Sequence, residues 1–187
     1  MDTLPLSTMT FDDFRTLCFN RRSIRYFSDK KTIDRPTIEK LLNTARLSPS
    51  VENIQPWQFH VITNADLKKK IMEYSCYGNF VAGAAVFIVV TCNKASKSLS
   101  REPIWNPKEM EYSCAGAMHA LMLAATSLGI GSCWVSLHHG PSHNALHLKD
   151  NQTVIGGIML GYLKEGESLP SGEHDRHPIS NMVIFHE

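Results

Sequence analysis

Three arginines and a serine within five residues are the first side chains in the sequence that could carry chemistry. They lie in the stretch Arg21-Arg22-Ser23-Ile24-Arg25. In an extended segment alternate side chains point the same way, so Arg21, Ser23 and Arg25 would share one side. Guanidinium and hydroxyl donors that converge in this way suit a phosphate. The spacing alone leaves a solvated basic turn open as the alternative.

A second polar stretch joins a predicted helix to a predicted strand, and it reads Ser48-Pro49-Ser50-Val51-Glu52-Asn53-Ile54-Gln55-Pro56-Trp57. Hydroxyl and amide side chains can satisfy the donor and acceptor edges of a heterocycle or a ribityl chain. The two prolines limit local motion and so preorganise the loop. An ordinary helix-to-strand connection is the alternative here.

Two glycines mark a third stretch, Leu128-Gly129-Ile130-Gly131-Ser132-Cys133-Trp134-Val135. A dinucleotide-binding turn needs the order strand, glycines, helix, whereas this stretch follows a predicted helix and enters a predicted strand. Trp134 also stands where the third glycine would be. We therefore expect Gly129 to end the helix and the backbone of the following strand to approach a flat ligand.

Histidines and cysteines give no predicted metal site. Gly140 and Pro141 are expected to break any helix among the clustered histidines, and no cysteine or carboxylate completes a ligand set. A solvated or capping role is predicted for these histidines, which are His138, His139, His143 and His147. The five cysteines are odd in number and have no two-residue spacing, which favours reduced thiols.

Composition limits the class of protein. The 187 residues fit a single domain over residues 1–187, and 19 basic against 18 acidic residues argue against a nucleic-acid-binding face. No apolar run reaches the roughly 18 residues that cross a bilayer, and the N-terminal residues do not resemble a signal peptide. A cytoplasmic protein that does not enter the membrane is the expectation.

The pattern of apolar residues predicts helices mixed with strands, which is typical of an α+β or three-layer α/β/α domain. Helices are predicted at residues 10–20, from Asp34 onward, at 66–74 and at 109–128. Strands are predicted at residues 57–63, 85–92, 131–137 and 153–162, with a short helical stretch between the last two. The first helix carries one apolar stripe, at Phe11, Phe14, Leu17 and Cys18, and the helix at 109–128 should be buried nearly all round.

Two segments lack a clear assignment. Residues 93–107 form a long connection without an apolar period, and we expect them to cover a bound ligand, with Ile104 and Trp105 for stacking and Lys94, Lys97 and Arg101 for a nucleotide phosphate. The tail turns apolar again at residues 182–185. It could add a strand to its own sheet or to a partner's.

In this order and at these separations, the three stretches resemble the nitroreductase family. The resemblance covers the chain from about Phe14 to the C-terminus, and further support comes from Ala115-Gly116-Ala117, Gly161-Tyr162 and Arg176-His177-Pro178. It implies a three-layer α+β fold with a central, mostly antiparallel sheet flanked by helices. It also implies a homodimer that exchanges C-terminal extensions and binds flavin mononucleotide (FMN) at the subunit interface.

The resemblance also assigns residues to the cofactor. Arg21, Ser23 and Arg25 would serve the phosphate and the pyrimidine edge, Arg22 would contribute mainly backbone, and Arg176 would be a second basic group for the phosphate. The residues that would reach the flavin from the other subunit are Pro49, Ser50, Val51, Asn53 and Gln55. Those that would line the ring, largely through backbone, are Trp134, Val135, Ser136 and Leu137.

The implied activity is electron transfer from NAD(P)H to a small acceptor, such as a nitroaromatic or a quinone, in a ping-pong mechanism. The flavin carries the redox chemistry, so the sequence predicts no catalytic acid, base or nucleophile in the protein. Two alternatives remain open. One is a family relative with different flavin chemistry, such as dehalogenation, ene reduction or flavin cleavage, and the other is a flavin-binding protein without enzymatic activity.

Overall fold

Six helices and four strands make up the part of the chain that the computed structural model describes, which is residues 8–73, 78–97, 106, 108–169 and 175–186. The helices are α1 (Phe11–Asn20), α2 (Arg35–Ala45), α3 (Ala65–Met72), α4 (Gly78–Ala82), α5 (Lys108–Ser127) and α6 (His139–Leu146). The strands are β1 (Trp57–Ile62), β2 (Val86–Asn93), β3 (Gly131–Val135) and β4 (Gln152–Gly161). Short 3-10 turns occur at Val51–Asn53 and Ile179–Asn181.

The four strands form one antiparallel sheet in the order β1-β2-β4-β3. Alternate residues of β2 enter two different cores. Val86, Ile88 and Val90 pack with α2 and α5, whereas Phe87 and Val89 pack with α3 and α4. Helices therefore cover both faces of the sheet, and the predicted three-layer α+β class is confirmed.

Two predicted helix ends are present. The Asp34 carboxylate accepts a hydrogen bond from the backbone N–H of Thr37 at 2.9 Å and so caps α2. Gly129 has φ +69°, and the N–H of Ile130 returns to the carbonyl of Ala125 at 2.9 Å, which satisfies the last turn of α5. In both cases the local sequence alone decides the element boundary.

The predicted helix α1 and its apolar stripe are present, but the described chain does not bury this stripe. None of the residues of α1 is buried, Leu17 and Cys18 are half-buried, and Phe11 is 76% exposed. A period of 3.6 residues identifies the apolar face of a helix but not its packing partner. The face lies open within one chain.

The expectation that Gly140 and Pro141 break the local helix is wrong. Helix α6 begins at His139 and runs through both residues to Leu146. Pro141 lies in the first turn, where its missing N–H has no helical carbonyl to meet, so it does not interrupt the hydrogen-bond ladder.

Two other expectations are settled only in part. Residues 98–105 and 107 of the predicted cover, with Arg101, Ile104 and Trp105, lie outside the described residues. Residues 183–186 of the tail are exposed and belong to no strand, with Phe185 83% exposed. No helix in the described part of the chain has the length and apolar character needed to cross a bilayer.

Gly157 should be sensitive to a single added methyl group. A Cβ at this position would lie 2.5 Å from ring atoms of Phe87, which is fully buried. We expect Gly157→Ala to lower the free energy of unfolding by about 1–3 kcal/mol through overpacking. Gly116→Ala is the control, because no atom lies within 4 Å of the added Cβ and α5 should gain about 0.5–1 kcal/mol. Chemical denaturation measures both, and equal effects would contradict the packing.

Candidate functional site

The arginine-rich stretch lies along the outer edge of β3. Ser23 bridges Ser132 in parallel, and the N–H of Ile24 donates to the carbonyl of Ser132 at 2.9 Å. Ile24 is buried beside Gly131, where a Cβ would lie 3.1 Å from its Cγ2. The stretch therefore extends the sheet beyond β3, and its extended conformation agrees with the prediction.

Arg21, Ser23 and Arg25 alternate along this extended stretch beside β3, where Arg25 NH1 donates to the carbonyl of Ser23 at 3.4 Å, and we call these three residues the arginine cradle. Burial raises the pKa of Cys133, while Arg25, the Ser23 hydroxyl and Arg21 act in the opposite direction. No carboxylate among the described residues forms an ion pair with either arginine of the cradle. The cradle thus holds two positive charges without a negative partner there, a suitable place for an anion.

Arg22 takes a different direction from the cradle. Its guanidinium lies 5.0 Å from the centre of the Phe19 ring, and its side chain lines a small cavity of about 80 Å³ with Thr126, Gly129 and Ser132. The cavity is too small for a flavin. The hydroxyl of Ser132 is buried and has no hydrogen-bond partner among the described residues, so a water molecule in this cavity would satisfy it.

The second polar stretch contains a cluster of unusual backbone conformations. Glu52, Asn53 and Gln55 have φ values of 49°, 51° and 51°, in the left-handed region. A residue with a side chain costs on the order of 1–2 kcal/mol there, although asparagine tolerates it better. All three side chains are exposed, and such strain tends to occur at functional sites.

Hydrogen bonds to the backbone hold this strained segment. Ser50 Oγ accepts from the N–H of Gln55 at 3.0 Å, and Ser113 Oγ on α5 accepts from the N–H of Val51 at 3.1 Å. The Gln55 side-chain amide donates to the carbonyl of Asn53 at 3.2 Å. We call residues 50–55 the amide loop. Pro49, directly before it, is exposed.

Trp134 lies on the face of β3 that packs against α5. It pairs with Ile158 across the ladder, and a Cβ on Gly156 would meet both its Nε1 and the Cε of Met118 on α5. The indole therefore lies across a glycine and remains 38% exposed. Val135 is buried in the opposite core and Ser136 is exposed. Any contact of Val135 with a ligand must use its backbone.

Arg176 lies in the exposed tail, where its NH1 donates to the carbonyl of Asp175 at 2.6 Å. Lys94, which we predicted to bind a nucleotide phosphate, pairs with Glu111 of α5 at 3.2 Å. Its positive charge is thereby already matched within the chain.

The arginine cradle and the amide loop lie at diagonally opposite corners of the sheet. Gly131 at the start of β3 is level with the end of β1, whereas the amide loop precedes the start of β1. The edge strands are about 14 Å apart, from three spacings of about 4.8 Å. The separation along α5 can be measured from two of its residues. Ser113 contacts the amide loop, and Thr126 shares a cavity with Arg22 of the arginine-rich stretch. Thirteen residues of helix span about 20 Å.

The clustered histidines form no ligand set that the structure records. On α6 the rings of His139 and His143 are tilted by 49° to each other, with their centres 5.3 Å apart. No group of three or more His, Cys, Asp or Glu side chains in the described part of the chain is placed to hold a metal ion.

The sequence analysis missed Ser113 and Ser132. Ser113 lies among the buried residues of α5, between Met110 and Cys114, so a polar residue on an apolar face was the available signal. Ser132 could be identified only from its pairing with Ser23 at the edge of the sheet, and no local pattern predicts such a bridge.

Comparisons with known proteins agree with the geometry. A model of the nitroreductase family matches residues 19–76 and 74–162. A protein of Archaeoglobus fulgidus that carries the name NADH dehydrogenase/NAD(P)H nitroreductase is 34% identical in an alignment of 156 positions that covers 80% of this chain and 84% of that protein. The 5,6-dimethylbenzimidazole synthase of Rhodospirillum rubrum is 28% identical in a gapped alignment of 199 positions that covers 92% of this chain and 93% of the synthase.

A solved structure has the same fold. A nitroreductase of Exiguobacterium sibiricum, crystallised in complex with FMN, superimposes with a TM-score of 0.80 over 96% of this chain and 100% of the other, at 19% identity. The predicted nitroreductase-like fold is thereby confirmed.

Proposed function

The chain belongs to the nitroreductase family of oxidoreductases, and on this premise we propose that it binds FMN and transfers electrons from NAD(P)H to a small acceptor such as a nitroaromatic or a quinone. The observation that carries the proposal is the placement of Arg21, Ser23 and Arg25 along the outer edge of β3, where no carboxylate among the described residues pairs with either arginine. The FMN complex of the structural neighbour supports the choice of cofactor.

The residues of the arginine cradle fit the phosphate of FMN. Two guanidinium groups and a hydroxyl can supply several charge-assisted hydrogen bonds to a dianion. Arg176 in the tail would be a further basic group for the phosphate. The exposed Trp134 and the backbone of Val135 and Ser136 would line the ring. When bound, FMN supplies the redox chemistry, and the protein binds, orients and shields it.

A homodimer explains the distance between the two groups of residues. Along α5, Ser113 at the amide loop and Thr126 beside Arg22 are about 20 Å apart, so one chain does not bring its own cradle and amide loop together. A second copy can bring its amide loop, with Pro49, Ser50, Val51, Asn53 and Gln55, to the cradle of the first. Twofold symmetry then gives two equal sites.

Exposed apolar surfaces support the same dimer. Helix α1 buries no residue, and the tail exposes Ile184 at 80% and Phe185 at 83%. Strand β1 is an edge of the described sheet, and a groove between it and α2 is lined by Leu42, Trp57 and Phe59. An apolar tail from a partner could add a strand at such an edge and fill the groove. We propose an exchange of C-terminal extensions on these grounds.

One shared pocket would bind NAD(P)H and the acceptor in turn, which gives ping-pong kinetics. No side chain needs to act as acid, base or nucleophile. Residues 93–107 remain our proposed cover for this pocket. The free thiols among the described cysteines favour a reducing compartment, and we propose the cytoplasm.

A different flavin chemistry is the second candidate, because the synthase of Rhodospirillum rubrum covers nearly the whole chain. The absorption spectrum of the purified protein tests for flavin, and anaerobic titration with NADH and NADPH tests for a reductase. Bound flavin that neither nucleotide reduces would exclude our proposal and leave the alternatives.

The cradle should contribute to affinity chiefly through the phosphate. We expect Arg21→Ala or Arg25→Ala to weaken FMN binding by roughly 1.5–3 kcal/mol, the usual contribution of hydrogen bonds to charged groups. Riboflavin lacks the phosphate, so its affinity should stay nearly the same. Quenching of flavin fluorescence during titration measures both constants.

The matched control is Arg35→Ala, which removes an equal charge from an 88% exposed side chain on α2. Its FMN affinity should equal that of the unmodified protein. If Arg21→Ala and Arg25→Ala bind FMN as well as this control, the cradle is only a solvated turn.

FMN binding and dimerisation should be linked, because each site needs residues of both copies. A tail with Ile184→Asp and Phe185→Asp should shift the protein toward monomer and lose FMN in parallel, whereas His186→Ala in the same exposed tail should change neither. Light scattering with simultaneous flavin absorbance measures both quantities. A monomer fully loaded with FMN would overturn the two-subunit site.

A further inference from the structure

The amide loop has a strained backbone at positions where glycine would relieve the strain. Three of its residues within four positions take left-handed backbone conformations, and none is glycine. Glycine adopts such conformations without the steric cost, so a loop needed only as a connection would be more stable with glycine there. The left-handed conformations of Glu52, Asn53 and Gln55 therefore point to a use for these side chains outside the fold.

One buried hydroxyl fixes the start of this loop to the core. Ser113 is 8% exposed, its Oγ donates to the carbonyl of Glu109 at 2.7 Å, and the same oxygen accepts from the N–H of Val51 at 3.1 Å. The hydroxyl thus uses its single donor and one of its two acceptor lone pairs. Because α5 is packed into the sheet along this face, Ser113 cannot move without disturbing the core.

The far end of the loop is fixed as well. Pro56 precedes β1, and its carbonyl accepts from the N–H of Asn93 at 2.8 Å. Between the two anchors, Ser50 Oγ bonds to the N–H of Gln55 at 3.0 Å and closes the loop on itself. The Asn53 and Gln55 amides are thus held on the exposed side of a closed, anchored turn.

We propose that Ser113 is a positioning residue for the cofactor: it holds the amide loop in its strained conformation, with the Asn53 and Gln55 side chains presented to the flavin of the partner protomer. This inference rests on the function proposed above. A loop held in its bound shape loses little conformational entropy on binding, and the strain is the cost of that order. Ser113 itself does not touch the cofactor.

The first test compares two serines of the same helix. Ser113→Ala removes the acceptor of the Val51 N–H, whereas Ser127→Ala removes an exposed hydroxyl that donates only to Ala124 within α5. We expect Ser113→Ala to weaken FMN and riboflavin by the same factor, about tenfold, since the amide loop is assigned to the ring and ribityl chain. Ser127→Ala should change neither affinity. Ser113→Thr, which keeps the hydroxyl, should restore most of the binding.

The equal loss for both ligands separates Ser113 from the arginine cradle, whose substitution should affect FMN alone. If the unmodified protein binds no flavin, the proposed function fails and this inference falls with it. If it binds FMN and Ser113→Ala binds as tightly as Ser127→Ala, only the positioning role is overturned.

A second variant tests the role of the amide loop in flavin binding even if Ser113→Ala folds poorly. Gln55 is exposed, and Gln55→Gly relieves the left-handed strain while removing the side-chain amide. We expect its melting temperature to equal or exceed that of the unmodified protein, and its FMN affinity to fall about tenfold. A lower melting temperature with unchanged affinity would show that the loop serves the fold alone.

Discussion

The burial of helix α5 is the constraint on which the rest of the structure depends. Met110, Cys114, Ala117, Met118 and Leu121 are at most 5% exposed, so the helix is fixed against the sheet along its length. Its start contacts the amide loop through Ser113, and its end lies beside the arginine-rich stretch through Thr126. A helix is a rigid spacer of 1.5 Å per residue, so these two contacts set the distance between the two polar groups.

Both polar groups cost the isolated chain stability. The two arginines of the cradle form no ion pair with a carboxylate among the described residues, and the amide loop keeps three residues in a disfavoured backbone region. Neither feature stabilises the hydrophobic core, because the cradle lies at an edge of the sheet and the amide loop lies outside the sheet. A ligand or subunit that binds only the folded state recovers such a cost by mass action. Both features agree with the dimer proposed above.

The sequence predicted the features that depend on neighbours along the chain. Asp34 caps a helix, Gly129 ends one, and the continuous apolar run of β2 is buried on both faces, as local chemistry requires. The sequence did not predict the features that depend on residues far apart along the chain. Phe11 and Phe14 belong to an apolar stripe whose partner no pattern names, and Glu52 takes a left-handed conformation that only its anchors can impose. Pro141 was judged a helix breaker because its place in the first turn was not recognised. The cradle was predictable as a set of donors, but the bridge from Ser23 to Ser132 that aligns it was not.

The position of the two polar groups on one helix has a consequence for the proposed dimer. In a twofold assembly, each copy of α5 would support the cradle of one site and the amide loop of the other. A shift of the helix along its axis would then move the phosphate donors of one cofactor and the ring donors of the second by the same amount. The prediction that this helix is buried nearly all round is wrong, because Tyr112, Gly116 and His119 are exposed on one face. Its opposite face is packed in the core, and proteins resist small changes of core packing, so such a shift is costly. The same core that stabilises one chain would therefore keep both sites in register.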